Sequence, residues 1–185
     1  GQPWFTVGPW PVYPPPAFAP GWLWAHLVVA LTRPIAYLSC LWLVLRSLAG
    51  SPLLFLKTLY VFLQGPWFAR EAGRRGLGHV HCHWASVPSS AGLFIARMAG
   101  ISFSLSAHAY DIFIDQTLLE EKIRAARYVI TCTEYNERYL RERFPLAPSG
   151  RIRAFYHGLD LGVFDEPHDA AIERQLLVRL FEGPE

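Results

Sequence analysis

The segment from residue 76 to residue 113 constrains the fold most, because its pattern changes from strand to helix and back to strand. Residues 79–83 read HVHCH, and this alternation of side chains is typical of a β-strand. An apolar segment, 91–99, is closed by Gly100, the residue type preferred just past the end of a helix. Residues 101–106 are a second β-rich run. Together these features predict a right-handed βαβ unit of a parallel sheet.

Polar and aromatic residues follow each of the two predicted strands. His83 and Trp84 come after the first strand, and His108, Tyr110 and Asp111 come after the second. In open parallel sheets the ligand crevice lies at the carboxyl ends of the strands, so these residues are expected to share one site. His108 is the strongest candidate for chemistry, since a small alanine on each side leaves room for a ligand.

The rest of the predicted sheet region repeats the alternation of strand and helix. Residues 127–132 and 151–156 are predicted strands, and Thr133 is expected to cap a helix over residues 134–143. A capping box at residues 117–120 predicts that another helix begins there. This alternation predicts an α/β fold with a Rossmann-like parallel sheet flanked by helices.

The third predicted strand also ends in polar residues. Glu134 and Asn136 follow it closely and are expected to face the same crevice. The helix dipole offers another explanation for Glu134, because an acidic side chain is favourable in the first turn of any helix. Both interpretations of this pair stay open.

Upstream of the predicted sheet lie a Pro-rich extended segment, residues 1–21, and an apolar helical region, residues 22–75. Residues 22–48 and 52–68 are predicted to be helical, and Ser51 is the expected N-cap of the second stretch. Neither stretch reaches the roughly 20 uninterrupted apolar residues that a membrane span needs. Two interpretations stay open: helices packed on the sheet, or an amphipathic surface lying in the plane of an anionic membrane.

Composition sets further limits. Hydrophobic residues make up 52% and charged residues 17% of the chain, which excludes disorder. Residues 1–76 hold six Lys or Arg against a single acid, a bias that suits the membrane interpretation. No combination of basic and aromatic residues indicates nucleic-acid binding. Cys40, Cys82 and Cys132 are widely spaced and are expected to be small buried side chains in a reducing compartment.

Four segments carry a resemblance to a known family, and they read HVHCHWA, SFSLSAHAYDIF, LLEEKIRAARYVITCTEYNERYL and RIRAFYHGLDLGVF. In order and spacing they resemble the N-terminal domain of family 4 glycosyltransferases, enzymes of the GT-B fold, over residues 12–164. The resemblance implies transfer of a sugar, with retention, from a nucleotide-sugar donor to a glycan or lipid-linked hydroxyl acceptor. It implies no cofactor and no obligatory metal. The implied location is the cytoplasm, at the inner face of the membrane.

The resemblance also implies roles for single residues. His108 is expected to be the catalytic histidine that faces the transferring sugar and the acceptor. The expected substrate-binding residues are His83, Trp84, Tyr110, Asp111, Glu134 and Asn136. The segment that leads towards the family's second domain would contain the hinge residues His157, Gly158 and Asp160.

The family pattern extends beyond this sequence on both sides. Its first strand and Gly-rich loop would precede residue 1, and residues 166–185 are expected to be a truncated linker towards a donor-binding domain. Residues 76–165 would then be the Rossmann-like core of the acceptor-side domain. Because the other domain would hold the nucleotide, the 185-residue chain alone is expected to be inactive.

Two other functions fit parts of the sequence. His81 and His83 have the His-x-His spacing with which metal-dependent hydrolases hold zinc. His108, Asp111 and His157 could supply the further ligands that such a site requires. Alternatively, the apolar helical region forms a non-enzymatic module that binds a membrane surface.

Overall fold

The computed structural model describes residues 19–145 and 150–156, and within them four parallel strands form one sheet in the order β1-β2-β3-β4. The strands are β1 (His79–Cys82), β2 (Ser102–Ala107), β3 (Val129–Thr131) and β4 (Ile152–Ala154). Each strand pairs in parallel with its neighbour in sequence. The α/β, Rossmann-like fold class predicted from the sequence is therefore confirmed.

Seven helices accompany the sheet within the described residues. They are α1 (Pro20–Thr32), α2 (Pro34–Leu48), α3 (Pro52–Arg74), α4 (Val87–Ala99), α5 (Ala109–Phe113), α6 (Leu119–Ala125) and α7 (Glu134–Arg143). Helix α4 connects β1 to β2, α5 and α6 connect β2 to β3, and α7 connects β3 to β4. With the strands in consecutive order, right-handed crossovers of this kind place the connecting helices on one side of the sheet.

The two faces of the sheet differ in burial. Phe103, Leu105, Val129 and Ile152 share one face by their register and are at most 3% exposed. Helix α4 packs on this face, where the backbone of Gly92 lies against Cys82 and the Phe103 ring. Burial of this apolar face is the main source of stability for the sheet.

Helix α3 joins the N-terminal helices to the sheet domain by packing on α4. Gly65 lies against Phe94 and Met98, and the rings of Phe62 and Phe94 are 6.2 Å apart. The helix continues through Pro66 to Arg74, whereas the sequence predicted helix only as far as residue 68. A proline inside a helix removes one backbone hydrogen bond. Here the packing of buried residues on both sides of Pro66 outweighs that loss.

Helix termini confirm three of the predicted caps and correct one. The Ser51 side chain accepts a hydrogen bond from the Leu54 N–H at 3.0 Å, and Thr133 likewise caps α7. Gly100 ends α4 with a left-handed φ of 72°. The capping box predicted at residues 117–120 was wrong, because the Thr117 hydroxyl donates to the Asp115 carboxylate instead.

The three cysteines are free thiols, and the prediction that all are buried holds only for Cys40, because Cys82 and Cys132 are partly exposed. Cys40 is fully buried in α2, and burial raises the pKa of its thiol to about 11. Cys82 ends β1 beneath α4, and Cys132 directly follows β3.

We expect Gly92→Ala to lower the free energy of unfolding by about 1–3 kcal/mol, because a Cβ at this position overlaps the Cys82 sulfur and lies 3.1 Å from the Phe103 ring. Urea unfolding followed by circular dichroism measures the change. Gly73→Ala in α3 is the matched control, since a Cβ there would meet no atom of the described residues within 4 Å. At this position the higher helix propensity of alanine should leave stability unchanged or raise it by up to about 1 kcal/mol. Equal effects of both substitutions would contradict the close packing of α4.

Candidate functional site

Three aromatic rings from two strand ends meet at the carboxyl edge of the sheet. The imidazoles of His83 and His108 have their centroids 5.1 Å apart, and the Trp84 ring lies 4.6 Å from His108. The rings of His83 and Trp84 are 5.9 Å apart. We call these three side chains the ring cluster. The structure therefore brings together the residues that follow the first two predicted strands.

The register of the two strands explains why these rings meet. Cys82 pairs with Leu105, so the two residues after β1 lie level with the last two residues of β2. His108 then follows directly, at the point where β2 gives way to α5. Ala107 is buried and Ala109 is exposed. Small side chains on both sides of His108 leave its ring as the dominant feature of this strand end.

Asp111 supports the backbone at His108. Its Oδ2 accepts a hydrogen bond from the His108 N–H at 3.2 Å, in the first turn of α5. The side chain is fully buried, and its Oδ1 has no hydrogen-bond partner among the described residues. Tyr110 is 58% exposed beside it. A buried carboxylate oxygen without a protein donor can accept a hydrogen bond from an enclosed water.

His79 and His81 form a histidine–serine ladder with three serines of β2. The two ring nitrogens of His79 lie 2.7 Å from the hydroxyls of Ser102 and Ser104. Those of His81 lie 2.8 Å from Ser104 and 3.2 Å from Ser106. Burial lowers the pKa of His81, and the neighbouring histidines lower it further. All four ring nitrogens are thus used within the sheet.

This ladder bears on the metal interpretation. The His81 ring, which the hydrolase alternative needs as a ligand, has a serine hydroxyl at each nitrogen. Within residues 19–145 and 150–156, no group of three or more His, Cys, Asp or Glu side chains is placed to hold a metal ion. His83 contacts the other rings of the ring cluster instead.

The residues predicted after β3 lie at the start of α7. Asn136 is buried, its backbone N–H donates to the Thr133 side chain, and its amide lies 3.9 Å from the Cys132 sulfur. Glu134 is exposed in the first helical turn. Asn136 is therefore engaged within its own helix end, and Glu134 is open to solvent. The proposed hinge residues His157, Gly158 and Asp160 lie outside the described residues.

Lys122 contacts the backbone next to the ring cluster, and the sequence pattern did not single it out. It is fully buried, and its ammonium donates to the carbonyl oxygens of Ala85 at 2.6 Å, Ser86 at 2.7 Å and Thr117 at 2.5 Å. Burial lowers the pKa of Lys122 from 10.5 to about 7, although the carboxylates of Asp115 and Asp111 act in the opposite direction. Its position between the buried Leu119 and Ile123, on the apolar side of α6, was the available signal.

A second candidate surface lies on α1, α2 and α3. The large apolar side chains that are at least 36% exposed on these helices are Leu23, Trp24, Leu27, Leu31, Ile35, Leu38, Trp42, Leu45, Leu48, Leu53, Leu56, Tyr60 and Leu63. We call them the exposed apolar surface. Among the described residues, no single helix has the length and apolar composition of a membrane span. Helices α1 and α2, bent by 115°, meet those two criteria only as a pair.

Comparison with known proteins adds no relative: no family model and no curated protein sequence matches this chain. The function is therefore proposed from the geometry of the two surfaces and from the resemblance carried by the sequence motifs.

Between about pH 7 and pH 10.5, the free energy of unfolding of the wild-type chain should rise with pH relative to that of Lys122→Met. In this window the unfolded lysine keeps its proton while the folded one has lost it, so the unfolded state binds more protons. The slope should not exceed about 1.4 kcal/mol per pH unit, the value for one proton. Urea unfolding at a series of pH values measures it.

Arg124→Met is the control for this measurement, because it removes an exposed cation from the same helix. It should keep the wild-type slope. A stability difference between wild type and Lys122→Met that stays constant across this pH range would contradict the shifted titration of Lys122.

Proposed function

We propose that this chain is the acceptor-side domain of a retaining glycosyltransferase of the GT-B fold. The observation that carries the proposal is the ring cluster of His83, Trp84 and His108 at the carboxyl edge of a parallel sheet. Open α/β sheets bind their ligands at this edge. The motifs that resemble family 4 glycosyltransferases include these same residues.

The chemistry of the cluster suits a sugar acceptor. An imidazole such as that of His108 can hydrogen-bond a sugar hydroxyl and stabilise charge as the glycosidic bond to the donor breaks. Trp84 is 46% exposed, so part of its ring is open to an apolar face of a sugar. Tyr110, which is 58% exposed in the first turn of α5, adds a polar group that a ligand can reach. In this proposal His108 is the catalytic residue, and the nucleotide-sugar donor is held mainly by a second domain.

His108→Ala should weaken binding of an acceptor saccharide by about five- to twelvefold, because one hydrogen bond to the sugar contributes about 1–1.5 kcal/mol. The measurement is saturation-transfer-difference NMR of the chain with a panel of free oligosaccharides and of soluble, short-chain lipid-linked sugars. Trp84→Ala should weaken binding of the same saccharide by a similar factor.

His26→Gln is the matched control for His108→Ala. His26 lies on α1, where its ring nitrogens contact the Tyr37 hydroxyl and the Leu63 carbonyl, and its replacement should leave saccharide affinity unchanged. If no saccharide in the panel binds, or if binding survives both site substitutions unchanged, this edge of the sheet is not an acceptor site.

A specific observation favours a second candidate function, which is attachment to a membrane surface. Monomeric soluble proteins rarely expose a contiguous apolar patch larger than a few hundred Å². Here thirteen large apolar side chains are exposed on three consecutive helices, with Leu31 at 73% and Ile35 at 85%. Trp24 and Trp42 belong to the same set, and tryptophan is enriched at membrane interfaces. We infer that these helices lie in the plane of a bilayer, which is compatible with the transferase proposal when the acceptor is lipid-linked.

Replacing Leu27, Leu31 and Ile35 together by Glu should lower vesicle binding at least tenfold. Each of these side chains contributes about 1.5 kcal/mol or more when it is fully transferred from water to the bilayer, and the new carboxylates are repelled by anionic lipid. Co-sedimentation with vesicles of phosphatidylcholine, with and without phosphatidylglycerol, measures the bound fraction.

The matched control carries the same three charges elsewhere, at Leu77, Phe155 and Tyr156, which are exposed apolar residues outside α1–α3. It should keep most of the wild-type binding. Equal loss in both triple variants would point to net charge alone, and absence of wild-type binding to either vesicle would contradict membrane attachment.

A further inference from the structure

Lys122 connects the loop that carries His83 and Trp84 to the loop after α5. Its three N–H groups donate to the carbonyls of Ala85 and Ser86, which precede α4, and to the carbonyl of Thr117, which precedes α6. The ammonium therefore joins the loop after β1 to the loop after α5. No other buried lysine exists among the described residues, and the chain has only one further lysine, Lys57.

The three carbonyls of this contact match a protonated lysine, the form that the folded chain holds below about pH 7. An ammonium has three donors and no acceptor, so three converging carbonyl oxygens satisfy it completely. A neutral amine has two N–H groups and leaves one of those buried carbonyls without a donor. The groups that face Lys122 electrostatically are Asp111 from α5, Asp115 from the loop after α5 and the Cys82 thiol from β1. The two carboxylates compensate for part of the cost of burying the charge.

The same loop carries Trp84. Ala85 directly follows it, and the Trp84 carbonyl accepts a hydrogen bond from the Ser89 hydroxyl of α4. Ser89 and Lys122 thus hold the backbone carbonyls of Trp84 and Ala85. The Trp84 ring lies 4.6 Å from the His108 ring. Lys122 joins the Ala85 carbonyl to the Thr117 carbonyl in the loop after α5. If Lys122 is replaced, the loop that carries Trp84 can shift and move the Trp84 ring away from His108.

We propose that Lys122 is a positioning residue, which fixes the loop of residues 83–86 against the loop of residues 115–118 and thereby holds the Trp84 ring on His108. The inference deepens the acceptor-site proposal and rests on it for its functional meaning. The hydrogen bonds of Lys122 go to backbone carbonyls and not to the rings. Lys122 influences the Trp84 ring only through the backbone of residues 83–86.

The test follows the Trp84–His108 contact directly by NMR in the 185-residue chain. A nuclear Overhauser effect between the Trp84 indole and the His108 imidazole, assigned with Trp84→Phe and His108→Gln, reports the contact. We expect it to be lost in Lys122→Met and kept in Arg124→Met, which removes an exposed cation from the same helix. The contact between His79 and Tyr128, whose rings are stacked 5.9 Å apart on the sheet, should remain in both variants.

Persistence of the Trp84–His108 contact in Lys122→Met would overturn the proposal. If Lys122→Met loses the His79–Tyr128 contact as well, the variant has unfolded, and the wild-type chain provides the second measurement. Lysine labelled with ¹³C at Cε gives two signals, since the chain contains two lysines, and Lys57→Arg assigns them. The Trp84–His108 contact should weaken at the pH at which the Lys122 signal titrates. A contact that stays unchanged through that titration also overturns the proposal.

These readouts need no sugar. A confirmed Lys122 effect without saccharide binding would leave the positioning role intact and reject the acceptor site. Saccharide binding that is the same in wild type and in a folded Lys122→Met would reject the positioning role and leave the acceptor site standing.

Discussion

The parallel pairing of β1 with β2 under α4 is the constraint on which the rest of the structure depends. Two short strands are held in register by the burial of Phe103 and Leu105 beneath a helix whose Gly92 permits close approach. This register alone places the residue after β2 beside the two residues after β1. A slip by one residue would turn every side chain of a strand to the opposite face. It would therefore disrupt the buried core and the ring cluster at the same time.

The opposite face of β1 and β2 shows how the sheet accommodates polar side chains. Strands of parallel sheets are usually apolar on both faces. Here Ser104 is fully buried, and imidazole nitrogens of His79 and His81 both reach its hydroxyl, while the two rings stack on Tyr128. Because buried polar groups are costly unless they are hydrogen-bonded, the ladder is best understood as a paired network. The three alternating histidines therefore divide into two that are hydrogen-bonded to serines of β2 and one, His83, that belongs to the ring cluster.

The sequence predicted the four strands, the cap at Ser51 and the shared edge of His83 and His108, because periodicity and strand-end position are local properties of the chain. It did not predict the short helix α5, which begins directly after His108. It predicted helix across Pro66 but ended it at residue 68, whereas α3 continues to Arg74, because the packing of this helix on α4 involves residues far along the sequence. It also missed Lys122, whose role depends on carbonyl oxygens 36 and 37 residues away. Backbone acceptors leave no trace in a sequence pattern, so a cation on an apolar helix face is the only advance sign of such a contact.

The proposed membrane surface and the proposed acceptor site belong to one packed unit. Helix α3 packs on α4, whose N-terminus begins at the loop of the ring cluster. Two ion pairs, Arg46–Glu121 and Lys57–Asp115, also join α2 and α3 to the segment between α5 and β3. Such partly exposed pairs contribute little stability by themselves, so the apolar contact of α3 with α4 must set the relative position of the two surfaces. A lipid-linked acceptor anchored beside α1–α3 would then meet the ring cluster at a distance fixed by the fold, because the helices that would contact the lipid are packed on the same sheet that presents His108.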